Sequence, residues 1–553
     1  MITKITFFTQ KYKFLSFFIT LIGILFYQSL NLFWGFELAD SGFHLTAFDN
    51  IFDAPNSVSY NFMYYLTNVI GGGFLRLFPE IGLLGFRVVG ALFIDMSLLL
   101  IFICLRKEIS VIHLLVGFVL VVVSYFMPYS FNNGILSCFF YVCFLLLLYK
   151  GIISRSVLLV LLSGILVGIN IFSRIPNVLA VGLFFVTLYH RWIENRILKC
   201  DWRTALFFMF GILVGIAVSV LMIFLFDHQS AFMEALDVLF LKGTSSSDGH
   251  SFWKLIWTQF YFYLNGAIFI ALFISISYIA KFQIQTRWKI IFVVISSFIV
   301  FYHIYLNLYI EKGYEPLWAI CVIGCIICIK QKGSFALLAF LGLYMLIFEI
   351  LGSGSGNNHG SLPALLAAPV SCSVLINRKN ILYVMVACMA LFLKVVKQGN
   401  YFDYGPLLLK QCYINVDECY MIRTTVQRAE AMNNTLPVLK QYVHPDDTLL
   451  VYNAAPMMNY LTHTRPAGGM CWPGDVGLFV KPFERTPKIL IHKFGDFTEP
   501  TLQTRGIPTG NQKIDSYIHE HQYKIVWENP YFILLFPHMD VCYTDRLSYQ
   551  YGD

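Results

Sequence analysis

The segment FELADSGFHLTAFDNIFD, residues 36–53, crowds Glu37, Asp40, His44, Asp49 and Asp53 directly after the first long apolar run. Partial burial and a neighbouring cation can each tune a carboxylate placed so near a lipid boundary. Asp40 suits a general base that takes a proton from an acceptor hydroxyl. It equally suits a helix cap, because Asp is a preferred N-cap and an apolar periodicity begins at Ser41, leaving Asp49 and Asp53 on a wet face. Glu37, Asp40 and His44 are spaced three and four apart, so a continuous helix would place them on one face. Such a face could hold a divalent metal, and no other cofactor is indicated.

A membrane scaffold must position these groups. Of the 553 residues, 58% are apolar and 13% charged, against roughly 25% charged in an average soluble domain. Residues before 398 hold 26 basic and 16 acidic side chains, and the remainder holds 13 and 16. The positive excess belongs to the apolar part, which argues against a nucleic-acid partner. Lys4, Lys11 and Lys13 precede the apolar run 14–33, which is long enough to span and reads as an uncleaved anchor.

Twelve further apolar runs follow, near 82–104, 109–127, 133–149, 157–172, 175–190, 204–226, 262–280, 290–309, 316–329, 334–351, 362–377 and 380–396. They predict a mainly α, polytopic membrane protein of about thirteen transmembrane helices with a cytoplasmic N-terminus. Charge supports that threading, because the inner loops then carry fifteen basic residues and the short outer loops only Arg76, Arg174, Lys242, Lys254 and Lys312. The pattern requires 157–190 to be two helices parted at Ser173-Arg174-Ile175-Pro176. An odd number of spans then puts the C-terminus outside.

Long connections are usually functional or separately folded. The expected organisation is a transmembrane domain over 1–397 with outer loops 34–81 and 227–261, and an extracytoplasmic α/β domain over 398–553. In that tail, Thr448 to Tyr452, Lys488 to His492 and Tyr531 to Phe536 read as strands, and Gln512 to His521 as a helix. Most of the thirteen cysteines lie in apolar runs, where Cys behaves as a small hydrophobe. Cys412, Cys419, Cys471 and Cys542 lie in the tail, where an oxidising compartment would permit disulfides.

The stretch ELADSGFHL, continuing through GGGFLRLFPEIG into GFRVVGALF, resembles the GT-C membrane glycosyltransferases, such as protein O-mannosyltransferases, lipid A aminoarabinose transferases and oligosaccharyltransferases. DDTLLVYNAAPMMNYLTHTRP in the tail is similar to the stretch after the last span in bacterial members. Ser41 stands where a second acid is common, and Arg87 matches an Arg that opens the second span. The resemblance implies a GT-C-like fold and transfer of a sugar from a polyprenyl-phosphate donor to a glycan, lipid or protein acceptor at the outer face, typically with inversion. It also implies a catalytic role for the carboxylate matching Asp40, as acceptor base or metal holder. A bacterial inner membrane is the expected location, with the tail periplasmic.

Charge developing on a leaving phosphate needs cations or hydrogen-bond donors. Arg87, Arg174, Lys242, His250 and His303 are placed outward by the topology, and the loop GSGSGNNHGS offers Asn357, Asn358 and His359. Each has a plainer role: Arg174 can snorkel to headgroups, Lys242 can belong to a solvated loop, His303 can be a packing histidine, and the glycine-rich loop can be a simple hairpin. Trp472 offers a ring for a sugar or a buried anchor. Asp95, within the second span, is a functional hypothesis by default and favours the rival class, a multi-pass transporter or lipid flippase. Transporters, however, concentrate polar residues at the midplane of repeated halves, and no repeat is evident here. A glycan polymerase or ligase would share the transferase chemistry.

Overall fold

In the computed structural model, residues 11–242, 257, 260, 264, 286–302, 304–305, 314–351, 360–376, 381–400, 403–473, 483, 486–493, 509 and 511–538 are described. The run near 262–280 lies mostly outside them, and every other predicted apolar run carries a helix. Uninterrupted apolar sequence makes these helices because lipid leaves the backbone no other hydrogen-bond partner. Their ends follow local chemistry. Asn132 accepts from the amide of Ile135 to start Asn133–Ser154, and left-handed Arg155 ends it. Ser156 caps Val157–Asn170 in the same way. The break predicted before Pro176 is present: a 3-10 segment, Ile175–Gly182, leads into the helix Leu183–Asn195.

Five described helices are long and apolar enough to cross a membrane: Lys13–Leu32, Gly82–Leu105, Asn133–Ser154, Trp202–Leu225 and Ile381–Gln398. The other apolar helices are shorter, such as Val111–Val123 and the nine-residue Ala367–Leu375. Among the described residues, length and composition thus qualify five helices as spans, and 3-10 turns and breaks use up part of several other apolar runs. The chain is a mainly helical, polytopic membrane protein with a small sheet.

Two compact units divide the chain. The first comprises residues 1–32, 88–222 and 249–400. A close helix contact in it joins Gly164 and Gly168 to Gly211 and Gly215. A Cβ at Gly164 would lie 2.2 Å from the Phe208 carbonyl oxygen, and one at Gly168 2.3 Å from that of Ile212. Small residues four apart let two helix backbones touch, which is the main source of association where lipid removes the hydrophobic drive. Two charged groups in this unit find partners. Asp95 accepts from Gln28 Nε2 at 3.1 Å, and buried Lys394 donates to the carbonyls of Ile304 and Tyr305 at 3.0 and 3.2 Å.

The second unit gathers residues 33–87, 223–248 and 401–553, so the segment after the first long apolar helix and the tail share one compact body. Its main sheet has strands β1 Thr448–Tyr452, β2 Arg465–Pro466, β3 Lys488–His492, β4 Lys524–Glu528 and β5 Phe532–Phe536, in the order β2-β1-β3-β5-β4. β1 runs parallel to β2 and β3, and β5 antiparallel to β3 and β4. Leu450, Ile489, Ile491, Ile533 and Leu535 pack with Ile514 and Ile518 of the helix Gln512–Glu520 to make the core. The three central strands are the predicted ones. β2 is two residues with a proline, and β4 is largely exposed, so neither has the buried apolar run that marks a strand in sequence. Cys412, Cys419 and Cys471 are free thiols rather than disulfide partners, and Cys471 instead donates to Asn61 Oδ1 at 3.3 Å. Cys542 lies outside the described residues.

Candidate active site

Residues 35–37 run without regular structure before the helix Asp40–Asn50. Glu37 therefore precedes the helix, and only Asp40 and His44 share a helical face. The expected Glu37–Asp40–His44 face does not form, because the helix begins only at Asp40, and the Glu37 carboxylate instead accepts the amide of Ser41. Among the described residues, no three His, Cys, Asp or Glu side chains gather as a metal site would need. Burial pushes the Glu37 carboxyl up, against the lowering effect of the Ser41 hydrogen bonds and the Arg87 charge.

Ala39, not Asp40, occupies the cap position, and Asp40 lies in the first turn, where the helix macrodipole favours negative charge. From Gly35 to Phe48, every side chain except Asp40 and Phe43 is buried. His44 is buried among rings, 5.3 Å from Phe43 and 6.1 Å from both Phe48 and Tyr64.

The tail holds this helix from one side. After β1, the amide of Met457 donates to the Leu38 carbonyl at 3.0 Å, and Thr46 Oγ1 donates to the Pro456 carbonyl at 2.8 Å. Gly42 makes the approach possible, since a Cβ there would lie 2.2 Å from the Met457 nitrogen. One helical turn further on, Asp49 meets His463, whose ring sits between Asp49 Oδ2 at 3.3 Å and Glu418 Oε1 at 3.2 Å. Hydrogen bonds to the two carboxylates raise the imidazole to about 9.

A buried charge cluster fixes the approach to the helix. Arg87 donates to the carbonyls of Gly35 at 2.6 Å and Trp34 at 3.5 Å. Arg428 donates to the Phe36 carbonyl. Asp403 Oδ2 accepts from the Phe36 amide at 2.7 Å and from Thr424 Oγ1 at 2.8 Å, while its other oxygen lies 3.5 Å from Lys410 Nζ and 3.7 Å from Arg428 Nε. Desolvation lowers the Lys410 amine to about 8, with Asp403 opposing the shift. Asp403, Lys410 and Arg428 escaped the sequence reading. One signal was available: Arg428 falls on the same stripe of the helix Val426–Tyr442 as buried Met432, Leu436 and Leu439.

The remaining candidates divide between the units. Arg174, in the first unit, is buried and donates to the carbonyls of Glu349 and Leu351, closing the end of the helix Ser334–Phe348. Lys242 ends the helix Gln229–Lys242 in the second unit. His250, His303, Asn357, Asn358 and His359 lie outside the described residues. His228, also unnoticed in sequence, is buried against Phe52, Phe62, Tyr65 and Phe226. Its Nδ1 lies 3.3 Å from the Tyr65 hydroxyl, and desolvation lowers its pKa.

The chain is similar in structure to ArnT from Cupriavidus metallidurans. The apo form aligns over 95% of this chain and 97% of that one, at a TM-score of 0.47 and 11% identity. The form bound to undecaprenyl phosphate gives 94%, 97%, 0.47 and 12% in the same order. An Archaeoglobus fulgidus oligosaccharyltransferase tethered to an acceptor peptide aligns over 83% of this chain and 64% of its own, at a TM-score of 0.42 and 12% identity. These neighbours are GT-C glycosyltransferases. No family model matches the sequence, and no curated protein matches it either.

Proposed function

We propose that this protein is a membrane glycosyltransferase that moves a sugar from a polyprenyl-phosphate-linked donor to a glycan, lipid or protein acceptor, with Asp40 as the base. The observation that carries this reading is the position of Asp40: it is the one ionisable side chain between Gly35 and Phe48 that is not buried. It follows the first span by eight residues on a segment held by Glu37, Arg87, Arg428 and Met457. A carboxylate fixed in that way can meet a substrate without losing its orientation.

In the reaction, the acceptor oxygen attacks the anomeric carbon and its proton passes to the Asp40 carboxylate. The bond from the anomeric carbon to the phosphate oxygen breaks, and its electron pair leaves with the phosphate. A single displacement of this kind inverts the anomeric centre. The groups proposed to meet the departing phosphate are Arg174, Lys242, His303, Arg87, Asn357, Asn358 and His359. Arg87 and Arg174 also donate to backbone carbonyls. The proposed setting is a bacterial inner membrane, with the N-terminus cytoplasmic and the Asp40 loop and tail in the periplasm.

The transporter reading rests on Asp95, whose hydrogen bond to Gln28 supplies a structural reason for a carboxylate at that depth. The deciding experiment compares the wild type with Asp40→Asn in proteoliposomes, measuring sugar transfer from polyprenyl-phosphate donors. Loss of a base should slow transfer by about 10²–10⁴-fold. Undiminished transfer by the variant removes Asp40 from the chemistry, and lipid movement without donor consumption by the wild type refutes the enzyme reading.

A further inference from the structure

The tail turns sharply between residues 418 and 423 and presents two large side chains outward. Tyr420 is 71% exposed, and Met421, at a φ of +61°, is 45% exposed. Backbone contacts on both sides fix where this turn lies. The amide of Arg423 donates to the carbonyl of Phe33 at 2.8 Å, and the amide of Gly35 donates to the carbonyl of Arg423 at 2.8 Å. Phe33 is the residue immediately after the Lys13–Leu32 span. At the other end of the turn, Gly82, first residue of the Gly82–Leu105 span, packs on Glu418 so closely that a Cβ would lie 2.9 Å from its carbonyl oxygen. The ends of spans lie at the edge of the hydrocarbon layer. A turn held against two such ends sits at that edge.

Other side chains of the same unit fit this placement. Leu77 and Phe78, just before Gly82, are 74% and 58% exposed. Leu408 and Leu409, at 75% and 67%, precede Cys412–Tyr413, which pairs antiparallel with Arg423–Thr424. Arg423 lies over the rings of Trp34 and Tyr413, at 5.2 and 5.3 Å, and donates to the Tyr413 hydroxyl. Aromatic rings with a basic partner are the usual occupants of a bilayer interface.

We propose that Leu408, Leu409, Tyr420 and Met421 form a lipid-docking rim, immersed at the boundary of headgroups and acyl chains, through which the tail binds the bilayer surface directly. The rim does not depend on the proposed reaction. Its test places a nitroxide at Tyr420→Cys, Leu408→Cys or Glu520→Cys, each in full-length protein carrying Cys200→Ser, Cys412→Ser and Cys542→Ser, in nanodiscs of phosphatidylcholine and phosphatidylglycerol. Positions 420 and 408 should collide several-fold less with a water-soluble nickel chelate than position 520, and more with oxygen. Equal nickel access at all three sites overturns the proposal. Should the labelled variants fail to fold, wild-type protein in nanodiscs containing a lipid with a photoreactive headgroup gives a second readout. Crosslinks should map to residues 407–423, and crosslinks confined to the spanning helices overturn the proposal.

Discussion

The amide of Met457 donates to the carbonyl of Leu38 at 3.0 Å, so the first turn after β1 in the tail grips the chain two residues before Asp40. This contact makes the Asp40 helix part of the tail's own fold. Its weakest tolerance is at Gly42, where Met457 leaves no room for a side chain.

Gly42→Val should therefore push the helix away from Pro456–Met457. Overpacking of this kind costs about 1–3 kcal/mol, visible as a lower melting temperature in detergent. Sugar transfer should fall further than stability does, because Asp40 moves with the helix. A variant with normal melting and normal transfer would show that the contact is dispensable.

Glu37 accepts the amide of Ser41 from a buried position. Glu37→Ala leaves that donor without its partner, at a cost of about 1–3 kcal/mol. Glu37→Gln keeps an acceptor oxygen and should recover most of the loss. Equal melting temperatures for the two variants would mean that the hydrogen bond contributes nothing.

Asp403 is the carboxylate that faces both Lys410 and Arg428, and all three are buried. Removing one member of such a cluster leaves the others uncompensated, so Asp403→Asn should destabilise by about 3–5 kcal/mol. The measurement is denaturant unfolding followed by a probe in the tail. A shift of less than about 1 kcal/mol, the range of an exposed pair, would contradict the buried geometry.

His463 gives a pH dependence with a definite sign. Its carboxylate partners raise it from an ordinary value near 6.5 to about 9 in the folded protein. The stabilisation is fully present below the unfolded value and is lost as pH rises through about 9. Melting temperature should fall over that window in the wild type and fall less in His463→Gln. Identical profiles would remove His463 from the linkage, and the ring's partial exposure keeps the expected effect small.

Gly168 and Gly215 set a helix crossing in the first unit. Gly168→Leu should separate the two backbones and lower stability by about 1–3 kcal/mol, measured by thermal melting in nanodiscs. Retained stability would show that the crossing can repack.

What the sequence by itself determined is the part governed by solvent preference and local chain chemistry. Apolar runs and the break before Pro176 located the helices, and short apolar runs located β1, β3 and β5, because burial patterns repeat along the chain. The resemblance and the acidic loop singled out Asp40. Tertiary structure alone decided how that loop is held. Lys410, Asp403 and Arg428 lie hundreds of residues from Glu37 and read in sequence as ordinary tail charges, yet they meet inside one unit with the segment 34–37. It also moved Glu37 off the helical face, gave Arg174 to backbone carbonyls and left Cys412, Cys419 and Cys471 as free thiols. The physical reason is common to these cases: a charge or thiol acquires its role from the partners that folding brings within a few ångströms, and sequence spacing holds no record of partners so far apart in the chain.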